Sequence, residues 1–582
     1  RNGGSPSGGP WGARSQAGSN LSTAGWRSVV KETVKPWVRL YPDRVRALGA
    51  PEDIDLVSAW RRRVGTNPSG AALTYFDRVW SASELDAASD AFAVALAQLG
   101  VTKGDRVGVC LQNIPAFPVA LIALWKLGAI ALVINPMYRG RELRHLIDDS
   151  ESIGIIHTDC DGAEIEKALA GSSIKWRIST SPLDQQGRND PRALPDRTPY
   201  EPAPAGDFWQ LIARHRGQRP EAVGLTGDDV ALLAYTSGTT GPPKGAMNTH
   251  ANVLSVVHNY GRWADLGPSD AVLAIAPFFH ITGAVVTCAV SLVAGCNLVL
   301  IGRFHPEVAL EAFKEHRVTN SVGAITAFNA MMQVPWASKE HFASVRLLFS
   351  GGAPVPPATV ADFEQRFGHY IHNAYGMTET SSGVIAVPPG ARAPVEPQTG
   401  SLSIGVALPG LEVRIVDPEG KPLPPGTVGE LEISGPAIVP GYWRKPEATK
   451  STMPGGRLRT GDGAIMDADG WVFLVDRIKD QINVSGYKVW PREVEDVLYE
   501  HPAVREAAVV GQPDAYRGET VAAYVSLRQG QTVTPEELVA FARERLAAYK
   551  VPRIVQVIED LPKTQTGKIR RNVLRDQGQG AS

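Results

Sequence analysis

The 582-residue chain is poor in cysteine, in net charge and in long charge-free runs. Its four cysteines are Cys110, Cys160, Cys288 and Cys296, and none forms a C-x-x-C pair. Their spacing points to neither a zinc site nor a disulfide framework. All but Cys160 lie in apolar runs, where buried free thiols are expected, and a reducing, cytoplasmic setting is the matching expectation. A net charge of −1 gives no general attraction to nucleic acid or to an anionic membrane. No basic stretch followed by an apolar segment opens the chain, so no signal peptide is expected. Because the first residue is Arg1 and not Met, the true start is expected to be missing or processed. One charge-free stretch, 283–302, is long enough to cross a bilayer. Gly295 and Asn297 interrupt it, and it is read as a buried helix followed by a buried strand, with no transmembrane segment.

What is present is an alternating pattern on a scale that calls for several structural units. Residues 1–25 are rich in Gly and Ser without apolar periodicity and are expected to be a disordered tail. A helical segment is expected near 26–37. Helical patterns at 85–99, 116–127 and 142–149 alternate with short apolar strands at 106–111, 129–135 and 153–158. That alternation predicts an α/β fold with parallel sheets and helices on their faces. Residues 179–220 are rich in Pro, Asp and Arg and are expected to form a long surface connection.

Residues 235–245 read YTSGTTGPPKG. Thr236, Ser237, Thr239 and Thr240 supply hydroxyls, Gly238 and its fellow glycines allow close backbone approach, and Lys244 adds a point charge. This is the chemistry of a loop that wraps a polyphosphate. It is not a Walker A loop, because Gly245 follows Lys244 where that pattern needs Ser or Thr. The apolar run 230–235 predicts a strand entering the loop and 245–248 a strand leaving it, with Thr249 capping the next helix. A flexible surface loop of the same composition is the competing reading.

The string closely resembles the phosphate-binding signature of the adenylate-forming enzymes, a superfamily of acyl-CoA synthetases, peptide-synthetase adenylation domains and beetle luciferases. Similar matches follow in the expected order over roughly residues 70 to 575. In PFFHITG, His280 stands where the family lines the carboxylate side of the acyl pocket. Amino-acid-activating relatives carry an Asp there, so Phe279-His280 implies an acid without an α-amine. In SGGAP, Gly352, Ala353 and Pro354 are similar to the segment that lines the adenine pocket. In NAYGMTE, which contains Asn373, Tyr375 and Gly376, the resemblance implies that Tyr375 stacks on adenine, Thr378 meets the α-phosphate and Glu379 binds Mg²⁺. One carboxylate suffices for a nucleotide-borne Mg²⁺.

Further along, Asp462 is implied to hold the ribose, the alternative being a turn Asp with local bonds. Gly441-Tyr442-Trp443 matches a motif given a scaffold role. In the charged run 476–480, Arg477 is implied to contact ribose or phosphate, and Lys479 to be the hinge. Gly486 and Lys488 resemble the turn used in the thioester-forming state, and PKTQTGKIR implies Lys568 as the catalytic lysine. Ile281, Ala324, Gly351 and Met377 are small or apolar and permit an acyl tunnel. The family's usual proline before Thr326 is replaced by Ile325.

The resemblance therefore implies a large domain over 26–477 with parallel-rich sheets and a β-barrel-like part. A hinge at 478–480, a small mobile α+β domain at 481–576 and a tail at 577–582 complete the expected organisation. It implies an acyl-CoA synthetase that uses ATP, Mg²⁺ and CoA to activate a carboxylic acid, a medium- or long-chain fatty acid fitting best. An aryl acid of the cinnamate or benzoate type is the runner-up. No carrier-protein segment follows residue 576, so CoA or a separate carrier protein is the expected acceptor. A nucleotide-binding protein without activity is the competing class, disfavoured by Glu379, Asp462 and Lys568 standing together. The oligomeric state is open, a homodimer included.

Overall fold

The computed structural model describes residues 35–46, 54–194, 203–236, 243–397, 399–477, 480–485, 487–514, 516–564 and 568–579. The expected tail 1–25, most of the helix expected near 26–37, and Ser237, Gly238, Thr239, Thr240, Lys479 and Gly486 lie outside these residues.

Two parallel-rich sheets carry the large part of the chain. One has six strands in the order Trp176–Thr180, Gly154–Thr158, Arg106–Cys110, Ile130–Val133, Val230–Tyr235, Gly245–Thr249. All pair in parallel except the last two, which form a hairpin. The other has nine strands, with a parallel centre running from Ile371–Met377 through Leu347–Gly351 and Asn320–Gly323 to Ala271–Leu273, Asn297–Leu300 and Ala71–Tyr75. Antiparallel strands finish both of its edges. The helices between strands are apolar toward the sheets. Ala116–Lys126 is buried at every position, as a helix shut between sheet and neighbouring helix must be.

The 283–302 stretch is helix then strand. Residues Thr282–Ala289 wind as wide π-helical turns, Val290–Ala294 continue as an α-helix, and Asn297–Leu300 form a strand. Among the described residues no helix is long and apolar enough to cross a membrane. Cys110, Cys288 and Cys296 are buried thiols and Cys160 is exposed.

The 179–220 segment corrects the expectation of a mere surface connection. Helix Phe208–Arg214, capped by Asp207, buries Phe208 against Phe92 with ring centroids 4.1 Å apart. Apolar residues at Phe208, Leu211 and Ile212 supply a short helical face that the surrounding Pro and Arg obscured.

A four-stranded antiparallel sheet (Glu412–Val416, Gly429–Ser434, Leu458–Met466, Val472–Arg477) forms the β-rich remainder of the large part. Residues 482–557 build a separate five-stranded sheet with its own apolar cluster around Val494, Leu498, Val509 and Val525. Helix Arg571–Gln579 seats Leu574 in a second cluster with Ala508, Val510 and Tyr524, so helix runs past the boundary expected at 576.

Candidate active site

The loop expected to bind phosphate joins strands Val230–Tyr235 and Gly245–Thr249, which pair as a hairpin. Thr236 N–H donates to Lys244 O at 2.9 Å, and Lys244 N–H donates to Thr236 Oγ1 at 3.3 Å, closing the loop's base. Tyr235 braces it from below, its hydroxyl donating to Asp149 Oδ2 at 2.7 Å. Thr249 caps helix His250–Trp263 in a reciprocal bond with Asn252, as its position predicted.

Lys244 reaches over the ring of Tyr442, 5.0 Å from its centroid, a cation–π distance. The Tyr442 hydroxyl donates to Glu379 Oε1 at 2.6 Å. Burial, and then the adjoining Glu379 carboxylate, push the phenol's pKa up, so it stays a donor. Tyr442 therefore joins Lys244 to Glu379. The sequence reading had confined its motif to scaffolding, which the backbone also provides: Trp443 N–H donates to Gly245 O at 2.7 Å.

Glu379 is only 6 % exposed and sits in a tight turn, Thr378–Thr380. Ser381 and Ser382 follow with φ of +51° and +103°, a left-handed excursion that side chains resist. Asn248 holds the turn by donating to Thr378 O at 3.0 Å and to Ser381 Oγ at 2.9 Å. Gly376 is needed just before it, since a Cβ there would lie 1.8 Å from Ser382 O. The bond from Tyr442 uses one lone pair of a carboxylate that offers about four. Glu379 thus fits a hard cation as an oxygen ligand. Among the described residues no group of three or more His, Cys, Asp or Glu converges.

Tyr375 and Asp462 meet directly, the phenol donating to Asp462 Oδ2 at 2.6 Å. Asp462 is paired across the sheet with Arg477. Asn373, expected at the nucleotide, is buried and donates through Nδ2 to Ser403 O at 3.2 Å, so its side chain fastens a neighbouring loop. Gly352 holds φ +79°, a conformation suited to glycine, beside Ala353 and the exposed Pro354. Lys568 closes over this turn: its Cε lies 3.5 Å from where a Gly352 Cβ would stand. The lysine is itself held in a fastened turn, with Thr564 N–H donating to Lys568 O at 2.6 Å and Lys568 N–H to Thr564 Oγ1 at 3.0 Å.

His280 faces the same region. Its Nδ1 accepts from Thr282 N–H at 3.3 Å, which leaves the proton on Nε2. Burial, reinforced by the Lys568 ammonium, lowers its pKa to about 3. The ring is therefore a neutral donor at physiological pH. Replacing His280 with Phe should lower kcat/KM without changing the shape of its pH profile between about pH 5 and 9. Loss of an inflection near neutrality in that variant would show that the histidine titrates there.

Asn113 places the His280 turn, and nothing in the sequence had pointed to it. Its Oδ1 accepts from Phe278 N–H at 2.8 Å, and its Nδ2 donates to Ala274 O and Ala276 O at 2.9 and 3.1 Å. Each buried group left without a partner costs about 1–3 kcal/mol, so Asn113→Ala should destabilise the protein by about 3 kcal/mol in urea unfolding. A loss below about 1 kcal/mol would mean that the turn is held by other contacts.

Of the residues expected to line an acyl pocket, Ile281 is buried next to His280, while Ala324, Gly351 and Met377 are half-buried; Ala324 caps helix Ile325–Met332, and Met377 packs on the cluster of Ala246 and Tyr442. Ile325 takes the first helical position, where a proline is also at home. Lys488 stands apart: it is exposed on strand Tyr487–Val489, and no described hydrogen bond joins it to the other site residues.

Comparison with known proteins shows the family. Residues 60–443 match the family model described as AMP-binding enzyme, and residues 493–568 match the AMP-binding enzyme C-terminal domain. A long-chain-fatty-acid–CoA ligase of Escherichia coli O6:H1 is 33 % identical over 567 residues, covering 94 % of this chain and 99 % of that one. A feruloyl-CoA synthase of an Amycolatopsis species is 36 % identical over 514 residues, covering 88 % and 97 %. The solved anthranilate CoA ligase in complex with anthranoyl-AMP superposes with a TM-score of 0.82 at 27 % identity, covering 91 % of this chain and 98 % of that one. The chain belongs to the AMP-binding enzyme family, the adenylate-forming ligases.

Proposed function

We propose that the protein is an ATP-dependent acyl-CoA synthetase whose acid is a medium- or long-chain fatty acid. One observation carries the reading: Lys568, from the C-terminal unit, lies over Gly352 of the large part, its Cε 3.5 Å from where a Cβ would stand. A cation and a nucleotide turn thereby address one reaction centre.

In the first half-reaction a carboxylate oxygen attacks the α-phosphorus of ATP, pyrophosphate leaves, and acyl-AMP forms. Both reactants are anions, so the protein's task is to align them and offset charge. His280 Nε2–H donates to the acid and orients it. Lys568 and Thr378 meet the α-phosphate, while Lys244 and the loop 236–240 hold the departing phosphates. Tyr375, Gly352, Ala353 and Pro354 enclose the base, and Asp462 with Arg477 takes the ribose. Mg²⁺ bound with the nucleotide supplies further charge neutralisation, and Glu379 is the residue that would hold it. In the second half-reaction the CoA sulfur attacks the acyl carbonyl and AMP leaves. For that thiol to enter, Lys568 first withdraws by rotation of the unit 481–576 about Lys479, which brings Gly486 and Lys488 to the thiol's path, and the thiol proton is lost as the C–S bond replaces the bond to AMP. Burial of three of the four thiols supports a cytoplasmic setting.

An aryl acid is the second reading, favoured by the 36 % identity to the feruloyl-CoA synthase. Conversion of ATP to AMP and pyrophosphate, measured over straight-chain and aryl acids with and without CoA, tests both. Thioester from C8 to C16 acids supports the fatty-acid reading, and thioester from aryl acids alone replaces it. Pyrophosphate without CoA thioester points to a carrier protein as acceptor. No AMP with any acid sinks the reading.

A further inference from the structure

The charged run 476–480 has a composition usually found on a solvated surface, yet Asp476 is buried. Its Oδ1 lies 2.9 Å from Arg571 Nη1, and its Oδ2 accepts from Arg492 N–H at 3.1 Å. Asp476 belongs to strand Val472–Arg477 of the four-stranded sheet, next to Arg477 and one step along the pairing from Asp462. Arg571 opens the helix Arg571–Gln579, three residues after Lys568. Around Arg571 stand the carboxylates of Asp476, Glu495 and Asp480, at 2.9, 2.6 and 4.0 Å. Glu495 and Asp480 follow residue 479 in the chain and travel with the C-terminal unit. Asp476 precedes it.

We propose that Arg571 is a positioning residue for Lys568, acting through its ion pair with Asp476. The inference rests on the assignment of Lys568 to adenylation. The segment 562–570 is fastened to itself: Arg570 N–H donates to Pro562 O at 2.7 Å, and Lys563 bridges to Ile569. These bonds tie Lys568 to residues 562–564 of its own unit. Arg571 ties that unit to the large part close to Lys568, its fork gripped on one side by Glu495 of its own unit and on the other by the sheet that bears Asp462; Arg528, 3.2 Å from Asp362, makes a second tie farther along the chain from Lys568. The helix behind Arg571 is anchored in turn, Gln512 Nε2 donating to Leu574 O and Arg575 O at 3.3 and 3.1 Å. Geometry of this kind is exacting, since a paired, half-buried guanidinium has two directions fixed at once. When the C-terminal unit rotates about residue 479, Glu495 goes with Arg571 and Asp476 stays behind. The pair is therefore made in the arrangement that delivers Lys568 and broken in the other. Its position beside the pivot lets one bond bias the whole unit.

The test measures the half-reactions separately in Asp476→Asn and Arg571→Lys, with Lys568→Ala alongside. Acid-dependent pyrophosphate release reports adenylation, and thioester formation from supplied acyl-AMP and CoA reports the second step. A misplacement of about 1 Å costs up to about 100-fold in rate, so adenylation should fall by about 10- to 100-fold. The thioester step should hold its rate or rise. Arg571→Lys keeps the charge and loses the fork, and it carries the test if Asp476→Asn does not fold. An equal fall in both half-reactions would mean a purely structural pair and overturn the proposal, as would unchanged adenylation in both variants. If adenylation is lost in Lys568→Ala but normal in the other two, the positioning role alone fails. If Lys568→Ala adenylates normally, the assignment of Lys568 fails, and the positioning role fails with it.

Discussion

Lys568→Ala should reduce acid-dependent pyrophosphate release by about 100- to 1,000-fold, the usual loss when one preorganised donor to a developing charge is removed. The same variant should retain most of its ability to convert supplied acyl-AMP and CoA into thioester. The asymmetry follows from where the lysine stands. Its Cε lies 3.5 Å from where a Gly352 Cβ would stand, which in the proposed mechanism is where the two anions meet. Thioester formation brings a neutral or singly charged sulfur to a carbonyl already activated as a mixed anhydride, and has less need of that cation. Separate assays of the two half-reactions decide the matter. Equal loss in both would argue that Lys568 serves both steps or the fold.

Glu379→Gln should lower adenylation by about 100-fold and move the Mg²⁺ dependence to higher concentration, because it removes a charged ligand while keeping the shape. Tyr442→Phe should be milder. It deletes a neutral donor to Glu379 Oε1, an interaction of about 0.5–1.5 kcal/mol, so a fall of about 2- to 10-fold is expected. Rate measured against Mg²⁺ concentration separates the two effects. A Glu379→Gln enzyme with an unchanged Mg²⁺ midpoint would remove the residue from the metal's coordination. Tyr442→Phe should leave the Lys244 ammonium over an intact ring, so its effect should not include loss of affinity for pyrophosphate.

The local chemistry of the site was legible along the chain because it is written in contiguous strings. A phosphate loop needs small, hydroxylated and cationic residues within reach of one another. The hairpin about 235–245, the Thr249 cap and the turn at Gly376–Glu379 therefore lie within a few residues of their own signals. The alternation of apolar strands and amphipathic helices was equally direct, since periodicity is local. Phe208 was missed for the same reason in reverse: its short helical face sits inside a segment whose average composition is that of a loop.

The sequence by itself determined the α/β alternation, the hairpin whose second strand follows Lys244, and the separate strings that carry His280, Glu379, Asp462 and Lys568. Only the tertiary structure decided how those strings meet. It brought Tyr442 to Glu379 across 63 positions of chain, clamped the His280 turn with Asn113 from the loop after strand Arg106–Cys110, and buried Asp476 against Arg571. The physical reason is common to all three. A buried carboxylate, carboxamide or guanidinium is tolerable only with its partners in place, and those partners come from wherever the chain happens to pass, not from neighbours in sequence.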